Sequence, residues 1–380
     1  GSPPRAPAPH EMRTLLNLLV ALAHLLGLSH GLSLSAQGLT QDRAAFRRAH
    51  VLACDGKRLI TRNAPPPVGP DPYKLVYDEL EFIKGSLKKV LTSKGRGSTG
   101  ALTSNEVLTM AAREFMQRKG KSFRPMLVLL IGRATDPDFV TDHLHAKLAV
   151  ITEMIHTASL IHADVLEEHV TDTSQGTLVH QEVALDVGNK VCILAGDFLL
   201  AKAAVELSLL ESSKVTEIVA AGLESICEGG MMNFNSTSKS AELVSLTLDE
   251  HLDIVSHTTA GLVANACQCS SILSGHEASS RVAQACHAYG DSLTMARSLV
   301  GEAETMERFL KQCRRNPKKF SELEPRSAPF LIAAESFPEL RVLMSASEES
   351  APLTPAAAID LLERSDAVDQ TQQRAEGYAQ

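Results

Sequence analysis

Residues Glu153 to His169, EMIHTASLIHADVLEEH, constrain this chain more than any other stretch. Met154, Ile155, Ala158, Leu160, Ile161, Val165 and Leu166 recur at helical spacing, so the segment reads as a largely apolar helix. Asp164, Glu167 and Glu168 break that apolar character. Residues three and four apart share a helix face, so Asp164 can act with Glu167 or with Glu168. Carboxylates paired in this way let an all-helical protein hold Mg²⁺, a hard cation that takes oxygen ligands and bridges to phosphates. Taken alone, the same pattern also describes a solvated helix end.

The rest of the chain repeats the helical theme. A helix is predicted after Asp71-Pro72-Tyr73, with Leu75, Leu80, Ile83 and Leu87 on one side and Lys84, Lys88 and Lys89 on the other, closed by a turn over Gly95 to Gly100. Helical patterns then run over 106–117, 125–134, 142–168, 189–210, 214–228, 248–273, 278–310, 329–343 and 355–378. Loops are predicted at 171–182, 233–241 and 314–327. Trp is absent and no Asn-Gly hairpin separates alternating strands, so the fold class is all-α. A chain of 380 residues can bury a large core, and without an internal repeat one helical domain over 71–380 is the economical reading.

The net charge of −8 and the shortness of the basic runs (the densest is Lys311 to Lys319) argue against a nucleic-acid partner. Cys54, Cys192, Cys227, Cys267, Cys269, Cys286 and Cys313 form no regular framework. Cys267-Gln268-Cys269 lacks a second such pair, which speaks against zinc and for buried free thiols. Residues 1–70 read as an N-terminal extension: Pro-rich to residue 11, then an apolar run from Leu15 to Leu28, then Arg43, Arg47 and Arg48. The apolar run is short for a membrane span. Its Arg-bearing, acid-poor setting suits an organellar presequence, and an anchoring or partner-binding helix is the alternative.

Four blocks in order now give these patterns a name. Gly120-Lys121-Ser122-Phe123-Arg124-Pro125, the Glu153–Glu167 helix, Gly188-Asn189-Lys190 with Ala195-Gly196-Asp197-Phe198-Leu199-Leu200-Ala201, and Ala328-Pro329-Phe330-Leu331 with Phe337-Pro338-Glu339-Leu340 resemble the motif series of trans-polyprenyl diphosphate synthases. The resemblance spans some two hundred residues, and Ser365 to Tyr378 extends it. It implies an isoprenoid-synthase-like bundle of helices, truncated at its C-terminal end against the family pattern. It also implies Mg²⁺ held between two aspartate motifs, a basic loop that grips isopentenyl diphosphate, and dimerisation through helices of the first half. A mitochondrial location follows for such a body, with the plastid as the alternative.

The same alignment exposes losses. In the first motif Ala163 and Glu167 stand where the family has aspartate, leaving Asp164, Glu167 and Glu168 as a degenerate metal remnant. No arginine lies within Thr171 to Gly176, where the family's paired arginines belong. In the second motif Gly301, Glu302 and Thr305 replace three aspartates, and Thr258 replaces the lysine of the family's K-T-A triplet. Glu302 and Glu304, two apart, fall on different helix faces. Lys121 and Arg124 remain as a vestigial diphosphate-binding pair, although a solvated turn before Pro125 explains them equally well. No catalytic residue is assigned, and no cofactor is expected unless the remnant at Asp164 still holds Mg²⁺.

Kept fold and broken motifs resemble the inactive subunits of heteromeric long-chain synthases, whose intact partners make quinone side chains. The expected partner is another prenyl-synthase-fold chain, either an intact paralogue or a second copy. Two alternatives remain at this point. One is a structural subunit recruited into a large mitochondrial assembly such as a respiratory complex. The other is an atypical active enzyme acting on an isoprenoid diphosphate.

Overall fold

The computed structural model describes residues 71–92, 122–136, 143–163, 178–237, 246–316, 319–320, 323–344 and 353–379. The extension over 1–70 and the predicted helix over 106–117 lie outside the described residues, as do Lys121, Asp164, Glu167 and Glu168. Every regular element among the described residues is helical. After a single helical turn at Pro72–Leu75, the longer helices in chain order are α1 (Tyr77–Thr92), α2 (Phe123–Thr135), α3 (His143–Ala163), α4 (Leu178–Ser208), α5 (Ser213–Thr237) and α6 (Leu248–Val255). Then follow α7 (Gly261–Leu273), α8 (Arg281–Arg315), α9 (Ala328–Ser336), α10 (Pro355–Arg364) and α11 (Ala367–Tyr378). Among the described residues no helix is long and apolar enough to cross a membrane.

Contacts divide the chain into two compact units, one over 73–223 and 265–287, the other over 224–264 and 288–380. In the first unit α3 packs against α1, α2 and α4. Leu127, Leu129, Leu148, Ile151, Met154 and Ile161 of α2 and α3 are all but fully buried. Helices apolar on nearly every side belong in a core, and these two are core helices. Hydroxyls and imidazoles tie the end of α7 into this unit. Ser270 donates to Val128 O (2.8 Å), His145 Nε2 donates to Ser270 O (3.0 Å), and His276 Nε2 donates to Thr135 O (2.9 Å).

The second unit is organised around α9, which contacts α6, α10 and α11. Phe330, Leu331 and Ile332 pack with Leu299, Val300, Met306, Leu310, Leu340 and Leu362. Helix α6 opens with a capping box, Thr247 accepting from Glu250 N and Glu250 accepting from Thr247 N.

Several predicted elements are redrawn. The predicted 248–273 helix contains a π-helical turn, Ser256–Ala260, between α6 and α7. The predicted 329–343 helix ends at Ser336 and gives way to a 3₁₀ segment, Pro338–Met344, because proline lacks an amide donor and disfavours helical backbone just before it. The 355–378 pattern divides at Asp366, whose φ of 50° is left-handed. The predicted loops at 171–182 and 233–241 are partly helix, since α4 starts at Leu178 and α5 runs on to Thr237 through Gly229-Gly230. That glycine pair does not end the helix.

Candidate functional site

The basic loop enters α2 at Ser122, whose φ of 53° is left-handed. Arg124, in the first turn, places Nη1 at 3.9 Å from Glu153 Oε2 on α3, and both side chains are largely buried. Burial pushes the Glu153 carboxyl up, and the Arg124 guanidinium opposes that shift. Burial and then the same guanidinium hold His156 down to about 3, so its imidazole is neutral near pH 7. The guanidinium of Arg124 therefore faces an acid of its own fold.

At the end of α3, Ala163 stands exposed where the family has the first aspartate of its first motif. His162 crosses onto α4. Its Nε2 donates to Ile193 O (3.2 Å) and lies 3.5 Å from Asp197 Oδ1, and the ring covers Gly196 so closely that a side chain there would meet it. The bare backbone of Gly196 is what permits this crossing.

In the second unit, α8 presents the second motif. Gly301 is exposed, with nothing within 4 Å of where a Cβ would sit. Thr305 turns its hydroxyl back to Gly301 O (2.8 Å), an ordinary intrahelical bond. Glu302 is bonded within the protein: Oε2 accepts from Ala328 N (2.6 Å), and both oxygens lie 3.1 Å from His251 Nε2. A cavity of about 450 Å³ opens beside these residues, with hydroxyls from Ser298, Thr305 and Ser327 and carboxylates from Glu302 and Glu324 among its described lining residues. A diphosphate entering it would meet these two carboxylates as like charge.

The family's Mg²⁺ does not fit this donor set. Mg²⁺ wants a near-ideal octahedron of oxygens. Here one carboxylate is already bonded, a glycine offers no side chain and a threonine hydroxyl is engaged. Among the described residues no three His, Cys, Asp or Glu side chains are grouped to hold a metal.

Thr258, at the family's lysine position, lies in the π turn and donates to Ile254 O (2.7 Å). A Cβ on Gly229 of α5 would lie 2.7 Å from both His257 Cβ and Thr258 Cγ2. The turn is thus pressed against a glycine that only a missing side chain allows. The sequence reading missed His251 and the start of α9 as partners of Glu302. They lie 51 and 26 residues from it, and no spacing rule joins them.

An all-helical fold carrying these blocks in this order defines a trans-polyprenyl synthase scaffold, and the polyprenyl synthetase family model matches residues 105–299. The chain belongs to that family. It is 30% identical over 356 residues to a probable mitochondrial hexaprenyl pyrophosphate synthase of Neurospora crassa, covering 82% of this chain and 75% of that one. It is 29% identical over 325 residues to the chloroplastic/mitochondrial solanesyl diphosphate synthase 3 of Arabidopsis thaliana, covering 81% and 72%. The fold is similar to the crystal structure of a decaprenyl diphosphate synthase from Rhodobacter capsulatus, with a TM-score of 0.61 and 20% identity over 81% of this chain and 88% of that one.

Proposed function

We propose that this chain is a non-catalytic subunit of a mitochondrial polyprenyl diphosphate synthase, supporting an intact synthase chain that makes a quinone side chain. One observation carries the reading. Of three positions that bear aspartate in the family's second motif, only Glu302 keeps a carboxylate, and its oxygens are bonded to Ala328 and His251. Ionising an allylic diphosphate needs metal-held charge stabilisation, whose loss costs several kcal/mol per ion. The mitochondrial names of similar synthases support the location.

A partner-binding role has its own support. Leu160 of α3, Ile193, Leu194 and Val205 of α4, and Leu209 in the turn after it are between 37% and 57% exposed. Leu194 and Val205, three turns apart, share one helix face. Apolar surface of this kind supports a partner-binding face, and the partner proposed is another prenyl-synthase-fold chain, intact or identical.

The experiment is condensation of labelled isopentenyl diphosphate with farnesyl diphosphate under Mg²⁺, with this chain alone, an intact synthase from the same organism alone, and the two co-expressed. Product is expected from the pair, less from the intact chain alone and none from this chain alone. Turnover by the isolated chain at roughly 1 per second or faster, abolished by Asp164→Ala, overturns the proposal. Co-purification with unrelated membrane subunits instead of a synthase favours recruitment into a larger assembly.

A further inference from the structure

Helix α9 lies in the core of its unit, with Ala328, Phe330, Leu331, Ile332, Ala333 and Ala334 each no more than 2% exposed. The first amides of a helix have no intrahelical partner, and a buried one must find an acceptor elsewhere. Pro329 removes one such donor, but the N–H of Ala328 remains. Ser327 is the N-cap residue and makes no side-chain cap. Its hydroxyl donates to Glu324 O (3.1 Å) instead. The acceptor for Ala328 comes from another helix altogether: Glu302 Oε2 of α8, at 2.6 Å. A carboxylate there also complements the positive end of the helix dipole. His251 Nε2 of α6 meets both oxygens at 3.1 Å, so a single side chain joins three helices.

We infer that this second-motif position has been rebuilt as a structural clasp, in which Glu302 caps α9 and binds it to α6 and α8 in place of holding a divalent cation. The inference deepens the proposed loss of catalysis and rests on the same Glu302 contacts, which it reads as a folding device. To ligate Mg²⁺ through Oε2, Glu302 would have to give up its bond to the N–H of Ala328, a buried residue. Gly301 adds no ligand in exchange, and Thr305 is bonded to its own helix. A metal ligand and a cap also differ in what they tolerate. Aspartate serves a metal at this position in the family, whereas a cap across helices depends on the length of the arm.

Glu302→Asp separates the two roles. The full chain is purified with whatever partner accompanies it. It is compared with Glu302→Asp and Glu302→Ala by helical circular dichroism melts and by hydrogen exchange of peptides covering 324–336, with and without millimolar MgCl₂. The clasp gives both variants a melting temperature lower by about 2–4 °C. Exchange in that segment is faster by about tenfold, α4 is unaffected, and Mg²⁺ shifts none of the proteins. If Glu302→Ala fails to fold, Glu302→Asp carries the decision. Wild-type melting and exchange in Glu302→Asp overturn the clasp. So does a Mg²⁺-dependent rise in the wild-type melting temperature that Glu302→Asp keeps and Glu302→Ala loses. The two readings fail separately, since turnover by the isolated chain overturns the proposed function and normal behaviour of these variants overturns the clasp.

Discussion

Replacing Gly229 by alanine asks how tightly α5 is held against the π turn of Ser256–Ala260. The new Cβ would sit 2.7 Å from His257 Cβ and Thr258 Cγ2, and 3.1 Å from Thr258 N. Carbon atoms in good contact lie about 3.5–4.0 Å apart, so two contacts fall short by roughly 1 Å. Neither neighbour can swing aside. One is a Cβ fixed to the backbone, and the other belongs to a β-branched residue whose hydroxyl is tied to Ile254 O at 2.7 Å. Overpacking of this sort costs about 1–3 kcal/mol. Alanine returns about 1 kcal/mol through its helix propensity. The net expectation is a loss of about 1 kcal/mol, or about 1–2 °C in melting temperature. Gly301→Ala is the internal control, because nothing lies within 4 Å of its Cβ position and only the propensity gain applies. The chain has no Trp, so far-ultraviolet circular dichroism during urea or thermal unfolding is the suitable signal. A Gly229→Ala protein stabilised as much as Gly301→Ala would refute the close-approach argument.

Three further outcomes are expected. Gly196→Ala makes a still closer contact, but with the His162 ring, a side-chain tip about one-third exposed that can rotate away. Its unfolding free energy should change by less than about 1 kcal/mol, and a larger loss than Gly229→Ala shows would contradict this. His156 is held at about 3 against an ordinary 6.5, so the unfolded chain binds the extra proton between those values and stability falls as pH drops below about 6.5. From pH 7 to 5 this group contributes a loss of about 2 kcal/mol. Glu153, shifted upward, works in the opposite sense across its own range above 4.5. Denaturant titrations of His156→Gln should show a flatter pH dependence, and an unchanged slope would sink the assignment. Finally, native maleimide labelling with peptide mapping should modify the exposed Cys227 while sparing Cys267, Cys269 and Cys286. Burial pushes Cys267 well up, Cys269 to about 12 and Cys286 to about 11, so little thiolate exists to react. Labelling of Cys267 in the folded chain would contradict that.

What the sequence disclosed follows from how far each signal reaches along the chain. Local periodicity located α2, α3 and α8 because their apolar spacing is continuous over several turns. Motif order supplied the family because four blocks were matched residue by residue. Breaks at Asp366 and at the π turn were hidden, since a helical pattern continues through both without a change of period. The predicted 214–228 pattern ends short of Gly229, yet the helix runs on and Gly229 serves a close approach to a segment about thirty residues away in sequence, a tertiary cause no window reveals. The link from Glu302 to His251 and Ala328 was equally out of reach, because alignment reported only that an acid had replaced an acid.

The bond from Glu302 to Ala328 also bears on evolutionary reversibility. Restoring a cation site calls for aspartates at 301, 302 and 305, and two of these steps meet an obstacle in the present fold. Aspartate at 302 is one methylene shorter, on a bond now 2.6 Å long. Aspartate at 301 alone adds a negative charge beside a carboxylate already committed. A lineage that has come to rely on this contact for folding would cross less stable intermediates before any metal could reward it. The substitution thus acts as a ratchet against the return of a cation site at this motif.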